Sequence, residues 1–332
     1  MSRSLPPLKS MPERAQPAAR AGGRIDPAAL MKIKSLQLRA KVVVDGYLSG
    51  LHRSPMHGFS VEFSEYRPYT PGDDLRFLDW RLYARSDRFH LKRFEEETNL
   101  RCWLLVDLSR SMSFHSLAYD KAEYAKTAAA TMAWFLTLQR DAVGLVTFDE
   151  ALDEYLPARY RPGHVHRLMM SLERAPAGRG TDIAAPLEQI ARTARKRGLV
   201  VLISDLLAPV AAIERQLGCL RARGHDLAVV RVLDPAEVAF SFASESLFFD
   251  LESGRELYVD PAAAKAAYLG RFQAHAAEMS AACRKLGTDV FTVTTNQPLD
   301  LVLARLLQSR MSGRRVARRS GPLRPRAAGG GP

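Results

Sequence analysis

The sequence predicts an α/β chain built on a doubly wound, mostly parallel sheet, with a small N-terminal β/helical element and disordered tails. Three observations predict it. Short apolar runs such as Cys102-Trp103-Leu104-Leu105-Val106, Ala142–Phe148 and Leu199–Ile203 lack polar alternation, as strands buried on both faces do. Segments of helical periodicity separate these runs, which is the alternation of a wound sheet. Both chain ends, by contrast, are crowded with Pro, Gly, Ala, Ser and Arg and cannot bury enough surface to offset the entropy of ordering.

These compositions divide the chain into a basic tail (1–32), an N-terminal helix with a motif-rich block (33–98), the wound sheet (99–309) and an Arg-rich tail (310–332). The formal charge is +12, but residues 1–32 carry +4 of it and residues 310–332 carry +7, so the body is close to neutral. That distribution argues against a nucleic-acid-binding body and leaves solvated tails, with weak contact to nucleic acid or an anionic membrane surface as the alternative. With 47% hydrophobic and 8% aromatic residues, the body can form a substantial core. Cys102, Cys219 and Cys283 have no CxxC spacing, the start Met1-Ser2-Arg3-Ser4-Leu5-Pro6-Pro7 lacks a signal-peptide core, and no apolar run approaches the length of a membrane span. A reducing cytoplasm is the expected location.

In chain order, Pro27 to Leu51 reads as a helix with a broad apolar face of Leu36, Leu38, Val42, Val43, Val44 and Leu48. In the block Phe63–Arg85, Thr70-Pro71-Gly72-Asp73 fits a type II turn, Pro fixing φ and Gly accepting φ > 0. Acids and arginines alternate there with aromatics, which suggests a paired network braced on the sheet, structural rather than binding. Phe89 to Leu105 is strand-like. Tyr119 to Arg140 is a helix with Ala122, Ala125, Ala129, Met132 and Leu136 along one face, small enough to approach the sheet closely. The strand Ala142–Phe148 turns at Asp149-Glu150 into Leu152–Leu156, an antiparallel edge strand. Helices follow at His164–Arg174 and Ile183–Arg197, the latter with Pro186 near its first turn. The strand Leu199–Ser204, helix Pro209–Arg223 and strand Asp226–Leu233 come next. Leu247–Leu251 and Glu256–Val259 suggest a hairpin near the sheet's edge. Helix Pro261–Leu286, strand Asp289–Thr294 and helix Leu299–Arg310 close the fold. Cys102 and Cys219 read as buried thiols, and His164 and His166 as surface helix residues, because positions i and i+2 do not face each other.

The chemistry concentrates at Asp107, Ser109 and Ser111. An Asp-x-Ser-x-Ser run at the end of a buried strand can be folded by the following loop around one point, and its oxygens are hard ligands suited to a cation such as Mg²⁺. Two distant segments can complete the set. Gly178-Arg179-Gly180-Thr181-Asp182 is a flexible loop presenting a hydroxyl, and Asp205 ends a second apolar strand. In an open parallel sheet, ligands bind beyond the carboxyl ends of strands at the topological switch point, where both Asp residues sit if their strands are neighbours.

These five residues resemble the pattern of a von Willebrand factor A domain with a metal-ion-dependent adhesion site. The resemblance implies that Asp107, Ser109, Ser111, Thr181 and Asp205 hold Mg²⁺, with Mn²⁺ or Ca²⁺ as alternatives, and that Gly180 and Asp182 shape the threonine loop. It also implies a coordination position taken by an acidic side chain of a partner. The upstream block resembles the signature of the bacterial DUF58 family through Glu65, Tyr66, Tyr69, Gly72, Asp73, Asp74, Arg76, Asp79, Trp80, Ala84 and Arg85. That family joins such a block to a von Willebrand A-like domain, so the resemblance covers about residues 45 to 300. The implied function is a non-catalytic binding module whose partner is a MoxR-type AAA+ ATPase, the pair acting in chaperone-like fashion on a third protein. Many relatives carry transmembrane helices and an extra β domain before the block; neither is seen in this sequence, so a membrane-anchored role is not expected. A Mg²⁺-dependent phosphohydrolase using Asp107 as nucleophile is the alternative. It needs a carboxylate two residues on, where Ser109 stands, and a late acid pair, where Leu206 follows Asp205. Nucleophile elbows, P-loops and H-E-x-x-H are absent from the sequence.

Overall fold

The computed structural model describes residues 25–51, 66–68, 83, 90–92, 100–149, 152–174, 184–194, 196–242, 246–249, 256–305 and 307. The segment expected as one N-terminal helix is two, α1 (Pro27–Met31) and α2 (Leu36–Leu51). Asp26 caps α1 by accepting from the Ala28 N–H at 3.1 Å, and Pro27 stands at the first helical position, where its missing N–H costs nothing. The break between the helices is held by Arg39, buried on α2, which donates to the carbonyls of Met31 and Ile33 and pairs with Glu123. A guanidinium satisfies the carbonyls that the end of α1 leaves without helical partners.

β1 (Tyr66–Pro68) and β2 (His90–Lys92) form an antiparallel pair with Arg67 opposite Leu91. Apart from Tyr66–Pro68 and Tyr83, the Glu65–Arg85 signature lies outside the described residues, as do residues 1–24 and the Arg-rich tail 310–332. Residues 25–32, expected as part of the basic tail, are instead ordered, because the Asp26 cap and Pro27 start α1 there.

The wound region then runs β3 (Arg101–Asp107), α3 (Lys121–Leu138), β4 (Ala142–Phe148), β5 (Leu152–Arg159), α4 (His164–Glu173), α5 (Ala184–Thr193), β6 (Leu199–Ser204), α6 (Val210–Ala222) and β7 (Asp226–Leu233). It continues through α7 (Pro235–Ala239), the antiparallel pair β8 (Ser246–Phe249) and β9 (Glu256–Val259), α8 (Pro261–Lys285), β10 (Asp289–Thr294) and α9 (299–305). Six strands make one sheet in the order β10-β7-β6-β3-β4-β5, parallel throughout except for β5. The chain winds outward from β3 through β4 to β5, then returns to lay β6 on the other side of β3. That reversal puts the switch point between β3 and β6.

Strand alternation divides the core in two. Cys102, Leu104 and Val106 face a layer built from α2, α3, α4 and α9, whereas Trp103 and Leu105 face α5, α6 and α8. α3 was expected to bury one face; instead it is buried on nearly every side from Lys121 to Leu136, because α2 covers the side turned away from the sheet. Its alanines allow both approaches.

Two side chains differ from expectation. Cys219 is exposed: the buried stripe of α6 is Ile213, Leu217 and Leu220, and Cys219 falls off it. His164 is buried, and its Nε2 lies 2.8 Å from the Val143 carbonyl, to which it donates; burial pulls its pKa down. His166 is exposed as expected.

On the edge strand β5 the pairing with β4 shifts between Val143–Arg159 and Leu145–Leu156, a bulge that contains Pro157. Proline is accommodated in a sheet at such a place because no ladder N–H is required of it. The bulged backbone closes on Gly144, where a Cβ would lie 2.7 Å from the Ala158 nitrogen and 2.8 Å from the Leu156 oxygen.

Candidate functional site

The register Val106–Ile203 brings the C-terminal ends of β3 and β6 together, so Asp107 meets Ser204. Ser204 Oγ donates to Asp107 Oδ2 at 2.6 Å, and the Ser109 N–H donates to Oδ1 at 2.9 Å. A 3₁₀ turn over Arg110–Ser113 then folds the chain so that Ser109 Oγ and Ser111 Oγ lie 3.1 Å apart. Asp107, Ser109 and Ser111 are therefore gathered by one local turn, as the i, i+2, i+4 spacing anticipates. Asp205 follows β6 directly. Its Oδ1 accepts from the Leu207 N–H at 3.3 Å, and the next residue, Leu206, adopts φ +57°, the left-handed region that leucine rarely visits. Thr181 and the loop residues Gly180 and Asp182 lie outside the described residues.

Asp107 and Asp205 are both fully buried. Burial first, and the Asp205 charge second, push the Asp107 carboxyl up to about 7, against the opposing hydrogen bonds from Ser204 and Ser109.

Sequence reasoning missed the groups that surround this pair. Lys121, the first residue of α3, is fully buried and its Nζ donates to Asp205 Oδ2 at 2.9 Å and to Glu237 Oε1 at 2.6 Å. Burial works against its charge, but Asp205 and Glu237 outweigh that and hold its pKa above the ordinary lysine value. Glu237 belongs to the capping box of α7: its Oε2 accepts from the Asp234 N–H at 2.8 Å, while Asp234 accepts from the Ala236 N–H. Asp234 also accepts from the N–H and Oγ of Ser116, at 2.9 and 2.5 Å, which ties α7 to the loop after the Asp-x-Ser-x-Ser turn. Arg231, buried over the Phe272 ring, donates from Nε to the Asp205 carbonyl at 3.2 Å. One signal was available for Lys121. It lies in line with Ala125, Ala128 and Met132 on the apolar stripe, where a lysine must be paired.

The donor set fits a small hard cation. Among the described residues, the buried carboxylates Asp107 and Asp205 stand beside the hydroxyls of Ser109 and Ser111, an all-oxygen set of the kind a hard divalent cation takes. No group of three or more His, Cys, Asp or Glu among the described residues could hold a metal alone, so the serine hydroxyls would have to contribute.

The chain is similar to known proteins in sequence and in fold. The family described as "Protein of unknown function DUF58" matches residues 65–282. Uncharacterized protein Rv1480 of Mycobacterium tuberculosis is 31% identical over 302 residues, which is 90% of this chain and 94% of that protein. Uncharacterized protein Mb1516 of Mycobacterium bovis matches with the same figures. Among solved structures, an aerotolerance-related membrane protein from Bacteroides fragilis aligns with a TM-score of 0.45 at 15% identity, over 63% of this chain and 99% of that one. The hypothetical protein BatB from Bacteroides thetaiotaomicron gives 0.43 at 14% identity, over 66% and 99%.

Proposed function

The chain belongs to the DUF58 family, and from that premise we propose that it is a non-catalytic, Mg²⁺-dependent protein-binding module, an adaptor or co-chaperone for a MoxR-type AAA+ ATPase acting on a third protein. The observation that carries the metal part of this reading is the pair of buried carboxylates, Asp107 and Asp205, at adjoining ends of parallel strands beside two serine hydroxyls. Asp107, Ser109, Ser111 and Asp205, with Thr181 from its loop, would hold the ion. Mg²⁺ bound there, or Mn²⁺ or Ca²⁺ in its place, supplies a Lewis-acid position for an incoming carboxylate. The chain's own part is to fix those oxygens: Ser204 and the Ser109 N–H each hold one oxygen of Asp107. The ATPase partner follows from family resemblance, and a cytoplasmic location from the three free cysteines. No helix among the described residues is long and apolar enough to cross a membrane.

The hydrolase alternative finds less support. The position of the acid it would need is Ser109, and Leu206 follows Asp205 where a second metal-binding acid would be required.

The test is capture of a purified MoxR-type ATPase, and of partners from native lysate, on the full chain. It is run with Mg²⁺, with EDTA, and with Asp107→Ala and Thr181→Ala baits whose folding is checked. The ATPase is expected only with Mg²⁺ and both side chains intact. Equal capture in every arm would dismiss the adhesion-site mechanism.

A further inference from the structure

The candidate site already contains a cation of the chain's own. Lys121 opens α3, where the helix dipole disfavours positive charge, and its ammonium is completely withdrawn from water. Such a placement is tolerated only with close anionic partners, and it has two, Asp205 Oδ2 at 2.9 Å and Glu237 Oε1 at 2.6 Å. Asp205 Oδ1 accepts from the Leu207 N–H at 3.3 Å and Oδ2 from Lys121 at 2.9 Å, so the carboxylate's charge is already compensated by an ammonium. A divalent ion bound through Asp205 must therefore share that carboxylate with an ammonium or displace it. Glu237 supplies the alternative berth. Its Oε2 is pinned by the Asp234 N–H, which leaves Oε1 fixed against Nζ whether or not Asp205 remains in contact.

We propose that Lys121 is a tethered competitor for the divalent ion, neutralising Asp205 when no ion is bound and passing to Glu237 when one is. This inference rests on the metal-site reading above and adds what sets the affinity of that site. It also accounts for the complete burial of Asp205, whose charge Lys121 balances. The exchange reaches further, because Glu237 is joined through Asp234 to Ser116 in the loop that follows the two site serines. Occupancy of the site is thereby coupled to the end of α7.

The test is titration of the full-length protein with Mn²⁺, free ion being read by electron paramagnetic resonance at neutral pH. Lys121→Met removes the competitor and is expected to bind Mn²⁺ about tenfold more tightly than the wild type. Glu237→Gln keeps the capping box but weakens the alternative berth, and is expected to bind about threefold more weakly. Arg231→Gln removes an equal charge that lies over Phe272 and donates to the Asp205 carbonyl rather than its carboxylate, so it should change affinity less than Lys121→Met. A purely structural lysine would give no tightening on removal.

Asp107→Ala separates the two readings. If it abolishes Mn²⁺ binding while Lys121→Met binds no better than wild type, the competitor is refuted and the metal site stands. Equal tightening by Arg231→Gln would also refute direct competition. If neither wild type nor Lys121→Met binds, both readings fall. Binding by Lys121→Met alone would support competition in its strongest form. Should Lys121→Met not fold, Glu237→Gln decides: weaker binding supports the exchange, and unchanged or tighter binding overturns it.

Discussion

Asp107→Asn is expected to stabilise the protein in EDTA above neutral pH and to abolish its stabilisation by Mg²⁺. In the unfolded chain a carboxyl titrates near ~3.9, whereas burial and the Asp205 charge raise that of folded Asp107 to about 7. Between those values the folded state binds more protons than the unfolded one. Stability therefore falls as pH rises through the window, and above about 7 the buried charge exerts its full cost. The asparagine keeps the shape and an acceptor for the Ser109 N–H, but leaves the Ser204 hydroxyl to find another acceptor. Weighing that lost hydrogen bond against the relieved charge gives a net gain of roughly 1–3 kcal/mol. The wild type, by contrast, should gain from Mg²⁺ by mass action and the variant should not. Urea unfolding of both proteins at mildly acidic and mildly alkaline pH, with EDTA or Mg²⁺, checks every part. If the EDTA-treated wild type is equally stable at both pH values and the variant is weaker, the carboxylate pair is not strained.

Gly144→Ala should cost about 3 kcal/mol or more, the upper end of overpacking effects, because what the new methyl meets is backbone. Its Cβ would lie 2.7 Å from the Ala158 nitrogen and 2.8 Å from the Leu156 oxygen, with the Trp103 ring at 3.0 Å. Neither strand can retreat easily: β4 is paired with β3 on its other side, and the bulge in β5 is set by Pro157. Gly270→Ala is the control. That glycine lies within α8 with nothing within 4 Å of its Cβ, so the change should add roughly 0.5–1 kcal/mol through helix propensity. Denaturant midpoints of the two variants should move in opposite directions. A Gly144→Ala protein as stable as wild type would mean that β4 and β5 are not this close.

What the sequence by itself determined is local. The apolar runs without alternation became the parallel strands, because burial on both faces is written in adjacent residues. The Asp-x-Ser-x-Ser turn was legible for the same reason: its hydrogen bonds span two residues. Even the misplacement of Cys219 was a local error, since the stripe Ile213, Leu217, Leu220 excludes it and residue type alone had suggested burial. The break at Arg39 and the burial of His164 belong to the other class. Arg39 pairs with Glu123 far along the chain, and His164 donates to a carbonyl on β4. Lys121 shows the division most clearly. Its helical position marks a lysine on an apolar stripe, but not which groups face that stripe. Only the laying of β6 beside β3, and of α7 at the end of β7, sets Asp205 and Glu237 around one ammonium. Charges interact across space rather than along the chain, so the tertiary structure alone decided that the metal-ligand candidates already have a cation among them.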